Sequence, residues 1–449
     1  MTVFQPLLEA AKVVASRLDK ASPATSAPAL QITHALSLDT EVDLAAWLAA
    51  QNGDEKIYWR ARDGAAELAV LDWGPRWQGD AARQQLRQPS DSLRFWLSGF
   101  DPQLAWQGWP DALLVQPVLA ILRQQQQWQL LVQCPPERAA SVAASLRGWH
   151  QRVHRSGPLP AVIRQDQPAA PEWAADVDAV RQAIDRGELA KVVLARRTRL
   201  EAGGAISLWS LFQHWREQGQ RCYQLALQQG QRGFLSFSPE RLYRRAGDQL
   251  QSEALAGTFW NSDASLSVGC SVGCIDAKLS HEHALVVEDL QRKLSRCCDL
   301  LRGDDAVGLY PQPNMQHLYC AFSGALKPGV NDADLLQLLH PTAAVSGLPA
   351  GPAAAFIRQH EHFNRGGYAG CFGPVQRGQS EMTVAIRSGL VEGRQLDLYA
   401  GAGIVAGSEA AQEWRELERK IALPLSLFDV AAARDCSQDE HVSRVAHQS

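Results

Sequence analysis

Four groups of residues in this 449-residue chain have the types and spacing to do chemistry. The first is Lys191, at the head of the apolar run Val192, Val193, Leu194. A lysine at a strand end fits an ordinary side chain that snorkels to water. A lysine that is instead desolvated sheds its proton more easily than its reference pKa of ~10.4 implies, and becomes usable as a base. The second is Ser238-Pro239-Glu240, directly after Phe234, Leu235, Ser236 and Phe237. Proline ends ladder pairing, so Glu240 belongs at a strand end or turn. A glutamate there is either solvated or, if buried, raised toward neutrality, where it can act as a general acid.

The third group is acidic. Glu282 and Asp289 share one face of a helical run, and Glu413 and Glu416 share a face of another, with Lys420 one turn beyond. Carboxylates on two helices form either solvated faces or a site for a hard cation such as Mg²⁺. His281-x-His283 and His360-x-His362 have no second pair at zinc spacing and do not define a zinc site. The fourth group is glycine-rich: Ala256-Gly257-Thr258 and Gly401-Ala402-Gly403, each after a probable strand. Such backbone either makes a tight turn or lets amides approach an anion closely. Gly401, Gly403 and Gly407 miss the dinucleotide fingerprint by one place and do not open a βαβ unit.

Elements must position these groups. Val177, Val180 and Ile184 recur at helical spacing, and Gly187 is a stop. Lys191–Leu200 reads as a strand. His281–Leu301 reads as a helix through Leu285, Leu290, Leu294 and Leu301. Met382–Leu390 and Gln395–Ala400 read as strands about a Glu392-Gly393 turn. Ser408 is placed to cap a last helix running through Trp414 toward Leu427. Adjacent strands alternating with isolated helices predict an α+β fold with antiparallel sheet. Ser22–Pro28 and Ser156–Pro171 read as linkers, the second dividing an N-terminal part from a longer C-terminal one. Gln124–Gln127 reads as an exposed turn or strand edge.

Composition narrows the function classes. A net charge of −4 over this length argues against nucleic acid or an anionic membrane as partner. No run approaches the ~18 apolar residues of a membrane helix, and Met1–Lys20 lacks the apolar stretch of a signal peptide. Nine cysteines without a Cys-x-x-Cys pair read as reduced thiols, which predicts a cytoplasmic protein.

Taken together, the segments are more specific than any one alone. They are Lys191-Val-Val-Leu-Ala-Arg196, Ser238-Pro-Glu-Arg-Leu242, Glu253-Ala-Leu-Ala-Gly-Thr258, Leu285-Val-Val-Glu-Asp289, His340-Pro-Thr-Ala-Ala-Val-Ser-Gly347, Tyr399-Ala-Gly-Ala-Gly-Ile-Val405 and Glu413-Trp-Arg-Glu416. In this order, from about Glu172 to about Phe428, the chain resembles the chorismate-utilising enzymes. That family holds anthranilate, aminodeoxychorismate, salicylate and isochorismate synthases. The likeness is greatest to the isochorismate synthases of menaquinone biosynthesis, with weaker support from Trp47-Leu48, Tyr58-Trp59 and Gly99-Phe100-Asp101-Pro102.

The resemblance implies a large single-domain chorismate-binding fold of the anthranilate synthase component I type, α+β, with two stacked, mostly antiparallel sheets ringed by helices. It overrides the linker-based split. Residues 1–165 become the N-terminal portion of the fold, 172–428 the catalytic region and 429–449 a tail. It also implies roles: Lys191 as the base that activates water, Glu240 as the acid that protonates the departing C4 hydroxyl, and Glu282 and Glu416 as Mg²⁺ ligands, with Glu413 supporting them through water. Gly257 and Thr258 would help the ion hold the ring carboxylate. Arg387, Tyr368, Gly403 and Lys420 would bind the enolpyruvyl carboxylate, with His317 near the ring.

A dianionic substrate is suited by a cation, Arg, Lys and backbone amides, and moving a hydroxyl needs both an acid and a base. Ammonia needs no lysine base, so chorismate is the expected partner and no glutamine amidotransferase subunit is expected. Salicylate synthase and a non-catalytic chorismate-binding paralogue are the alternatives. Phe237, Ser252, Ala190 and Ala277 depart from the family pattern.

Overall fold

A strand buried on both faces needs apolar or paired side chains on both, and Lys191–Ala202 has them: Lys191 through Arg196 are all buried. This strand sits between Gln395–Ile404 and Val162–Gln167 in the larger of two sheets. The computed structural model describes residues 3–20, 29–38, 42–218, 221–260, 276–312 and 315–431. The expected linker Ser22–Pro28 and most of the expected tail lie outside them.

Among the described residues the two sheets hold 13 and 10 strands. Every strand pair is antiparallel except Val430–Ala431 on Val162–Gln167. Strands from both ends of the chain interleave. Glu55–Arg60 pairs with Tyr223–Gln229 in the larger sheet, and Arg94–Ser98 pairs with Cys371–Gln376 in the smaller. Ser156–Pro171 is therefore no simple linker, because Val162–Gln167 within it is a strand of the larger sheet. Gln124–Gln127 is an exposed turn, as expected, with Gln125 at φ 58°. No described helix is long and apolar enough to cross a membrane.

Four expected boundaries move. Met382–Leu390 is two strands, Gln379–Val384 in the smaller sheet and Ser388–Glu392 in the larger. The expected helix His281–Leu301 is Ala277–Cys297, and the chain turns extended at Cys298 to pair with Met315–Leu326. Ser408 does not cap the last helix, Ala410–Leu425. Its hydroxyl accepts instead from the Val405 amide, and Glu409 is the N-cap residue. Both glycine motifs lie inside strands rather than after them: Gly257 is a bulge within Gln249–Trp260, and Gly401 and Gly403 belong to Gln395–Ile404.

The chain changes sheet twice in a way that matters for chemistry. Arg232–Ser238 of the larger sheet runs through Pro239 and Glu240 into Arg241–Ala246 of the smaller. Gln379–Val384 runs back through Ala385–Arg387 into Ser388–Glu392. The two corners bond to each other, Phe237 N to Arg387 O at 3.0 Å and Val384 N to Glu240 O at 3.1 Å. Strands that switch sheets at bends make the corners of packed sheets.

Arg365 ties the surrounding loops to this frame. Wholly buried, it pairs with Glu361 and donates to the carbonyls of Val345 (2.7 Å) and Val193 (2.8 Å). Glu361 also accepts from the Ala195 amide. Arg365→Leu leaves a buried carboxylate without its counter-charge, so unfolding in urea is expected to show a loss of about 3–5 kcal/mol. A variant within 1 kcal/mol of the parent, roughly the size of a surface effect, contradicts this account.

Candidate active site

Glu240 sits in the first corner because proline ends the strand before it. It is buried, its amide donates to Ser238 Oγ, and its Oε1 accepts from Thr342 at 3.4 Å. Burial, then the charge of Glu253, push its carboxyl up to about 8 against the opposing pull of Lys191, Thr342 and Lys420. Phe237, just before it, stacks on Phe212 and Trp215 at 5.1 and 5.2 Å, so this departure from the family pattern is absorbed in an aromatic layer. The other departures are accommodated locally. Ser252 donates to Leu242 O, the Ala190 amide bonds Leu348 O, and Ala277 opens a helix capped by the Asp276 side chain.

Lys191 is wholly buried, with Nζ 3.0 Å from Glu282 Oε1. Burial works against the charge of Glu282, yet Lys191, then Lys420 and Lys278, hold its carboxyl below the usual range. Helix Ala277–Cys297 delivers Glu282, and helix Ala410–Leu425 delivers Glu413, Glu416 and Lys420 at i, i+3 and i+7. Lys278 pairs with buried Glu413, while Lys420 bridges Glu416 (2.6 Å) and the Gly401 carbonyl (2.8 Å). Burial and the neighbouring Glu416 charge push the Glu413 carboxyl up, even with Lys278 beside it.

The second corner delivers Arg387 in the left-handed region, at φ 48°. Its guanidinium donates to Gln312 Oε1 (3.0 Å) and to His317 Nε2 (2.9 Å). An arginine can only donate, so Nε2 accepts and the imidazole proton lies on Nδ1, 3.0 Å from Thr258 Oγ1. Burial, then the Arg387 charge, hold His317 neutral. Thr258 and His317 are register partners across their ladder, and the Gly257 bulge, at φ 74°, precedes Thr258. Tyr368 is buried and stacked on Tyr399 at 5.3 Å.

Ten of the expected residues line one cavity: Glu240, Gly257, Thr258, Glu282, His317, Tyr368, Arg387, Gly403, Glu416 and Lys420. Lys191 and Glu413 stand directly behind Glu282 and Glu416. A larger cleft, about 590 Å³, runs past Trp59, Arg123, Arg244 and Gln379 and holds none of the expected residues. Convergent acidic and basic groups make the smaller cavity the candidate reactive one. Asp289 is not brought to it and pairs with Arg292 and Lys293 instead. His360 and His362 face Asp176 at 3.7 and 3.4 Å. Sequence reasoning passed over Lys278 and Thr342. Lys278 carries no signal beyond being near Glu282, whereas Thr342 lies inside a quoted motif.

Gly403 sets the clearance. A Cβ there would stand 2.0 Å from Glu282 Oε1 and 3.0 Å from Lys191 Cε. Gly403→Ala is expected to push the pair out of place and cost about 10²-fold in turnover, with circular dichroism unchanged. Near-parent turnover would show that the clearance is not needed.

The sequence profile of the chorismate binding enzymes matches residues 19–427. The isochorismate synthase MenF of Escherichia coli strain K12 is 33% identical over 443 residues, covering 93% of this chain and 98% of that one. The salicylate biosynthesis isochorismate synthase of Pseudomonas aeruginosa is 36% identical over 335 residues, 71% of this chain and 70% of that one. The crystal structure of MenF, the menaquinone-specific isochorismate synthase from Escherichia coli, superposes with a TM-score of 0.82 at 30% identity, covering 94% of this chain and all of the other. On the profile and on these likenesses, the chain belongs to the chorismate-binding enzyme family.

Proposed function

We propose that this chain is an isochorismate synthase, an Mg²⁺-dependent isomerase that interconverts chorismate and isochorismate by adding water at C2 and expelling the C4 hydroxyl. The observation that carries the reading is one buried cavity joining a glutamate held protonated near neutrality, a buried lysine and a cationic wall. Two carboxylates on the substrate need two receptors. Arg387, with Lys420 and Tyr368, offers one. Thr258 offers the other: His317 donates to its oxygen, so the threonine proton is free for a carboxylate oxygen.

The acidic helices supply the donor set for a hard cation. Glu282, Glu413 and Glu416 offer only oxygen, and the repulsion that raises Glu413 is of the kind a cation relieves. Among the described residues no three such groups stand at ligating distance. Each of the three is neutralised by a lysine instead, so the ion would enter as those pairs open. When bound, Mg²⁺ would supply charge to hold the ring carboxylate. Lys191, as the base, takes a proton from the water whose oxygen bonds to C2. Glu240 gives its proton to the leaving C4 oxygen. Near neutral pH most of the Glu240 population carries that proton.

The likeness to the menaquinone-specific enzyme runs over 93% of the chain and supports that branch of the family. We place the enzyme in the cytoplasm, working as one catalytic unit across 1–165 and 172–428, without an amidotransferase subunit.

Purified protein given chorismate and Mg²⁺ is expected to yield isochorismate on chromatography and to fall silent in excess EDTA. Stoichiometric pyruvate with salicylate would reassign it to salicylate synthase, and incorporated ammonium nitrogen would overturn water as nucleophile. A general acid works only while protonated, so kcat/KM is expected to fall as pH rises through about 8. Glu240→Gln and Lys191→Ala are each expected to lose ~10²–10⁴-fold in turnover with the fold retained. Normal turnover of either variant removes that residue from its role.

A further inference from the structure

The turn that carries Glu240 is held from both sides by a single ion pair. Arg62, from the turn between Glu55–Arg60 and Ala66–Asp72, forks onto Glu253 with bonds of 2.5 and 2.6 Å. The same guanidinium donates to the Pro239 carbonyl at 2.6 Å, across 177 positions of sequence. Glu253 in turn accepts from the Arg241 amide at 3.0 Å. The residue before Glu240 is thus tied to Arg62 and the residue after it to Glu253. The guanidinium carbon lies over the rings of Tyr223 and Tyr310, 5.5 and 4.9 Å from their centroids, and Tyr319 donates to Glu253 at 3.4 Å. The Glu253 side chain is 1% exposed and that of Arg62 10%, so water screens the pair little.

We propose that Arg62 and Glu253 act as a positioning pair for Glu240, fixing the corner it stands on and setting the charge it faces. In treating Glu240 as the acid, this rests on the function proposed above. Neither residue lines the reactive cavity, so both act through Glu240.

The groups facing Glu240 come from several elements. Glu253 is on Gln249–Trp260, Lys191 on Lys191–Ala202 and Lys420 on the last helix. Thr342 follows the helix Asp332–Leu339, and Tyr368 precedes Cys371–Gln376. Glu282, His317, Arg387 and Glu416 share its cavity. After burial itself, the charge of Glu253 does most to keep the Glu240 proton on. Arg62 moderates it. Removing the Glu253 charge therefore makes Glu240 more acidic. Removing the Arg62 charge leaves Glu253, still held as a carboxylate by the Arg241 amide and the Tyr319 hydroxyl, without its counter-ion and makes Glu240 less acidic. The two substitutions act in opposite directions, which simple loosening of the corner would not do.

The test reads Glu240 directly. Infrared difference spectra of the whole protein are titrated, following the protonated-carboxyl band that disappears in Glu240→Gln. Glu253→Gln is expected to move its midpoint to lower pH, and Arg62→Gln to higher pH, each by on the order of one unit. Arg62→Lys, which keeps the charge without the fork, is expected to move it upward by less and serves if Arg62→Gln does not fold. An unmoved midpoint in Glu253→Gln, or a shift of the same sign in Glu253→Gln and the arginine variants, overturns the proposal. The alkaline limb of kcat/KM is measured alongside. If the band shifts as expected and the limb does not follow, the positioning pair stands and the role of Glu240 as acid falls.

Discussion

The two corners at which the chain changes sheet constrain everything else in the site. They are one antiparallel ladder bent through two layers, closed by Phe237 N on Arg387 O and Val384 N on Glu240 O. The bend turns Glu240 and Arg387 out of ladder positions and into the space between the sheets. Arg387 reaches it at φ 48°, a conformation that costs a non-glycine residue about 1–3 kcal/mol and persists only where its surroundings over-determine it. Its carbonyl is held by Phe237 and its guanidinium by Gln312 and His317, which is that over-determination.

Charge is the second constraint. The cavity gathers Glu240, Glu282 and Glu416 with Lys420 and Arg387, and Lys191, Lys278 and Glu413 stand just behind. Burying so many ions is costly unless each has a partner. Glu282 has Lys191, Glu413 has Lys278 and Glu416 has Lys420. Glu240 has no such partner within ion-pair distance among the described residues. Its carboxyl accepts from the Thr342 hydroxyl, and a second carboxylate faces it. A buried carboxyl in that position lowers its free energy by keeping its proton. The cavity and the groups just behind it thus hold three carboxylates each paired with a lysine and one carboxyl that keeps its proton, distinguished by their surroundings.

Clearance is the third. Gly403 leaves room where Glu282 meets Lys191, and Gly257 lets the Leu279 carbonyl approach the bulge, where a Cβ would stand 3.2 Å away. These glycines work inside strands. The close approach comes from side chains and backbone of other elements, which the glycine spacing does not specify.

Local chemistry was legible in the sequence by itself. Helical periodicity placed Glu413, Glu416 and Lys420 on one face, proline put Glu240 at a strand end, and Lys191 stood at the head of an apolar run. Each of these follows from the chain's own geometry over a few residues. Where the chain leaves one sheet for another was not legible. The apolar stretch Val384–Ile386 runs straight into Arg387, and nothing in its pattern says that the chain passes there from one sheet to the other. Glu282 and Asp289 share a helix face, and only packing sends one into the cavity and the other to Arg292 and Lys293. The Arg62–Glu253 pair spans 191 positions, and no local rule couples residues so far apart. Sequence set the side chains and their short-range spacing. Tertiary structure alone chose the partners, because desolvation and charge pairing depend on which segments are folded against each other.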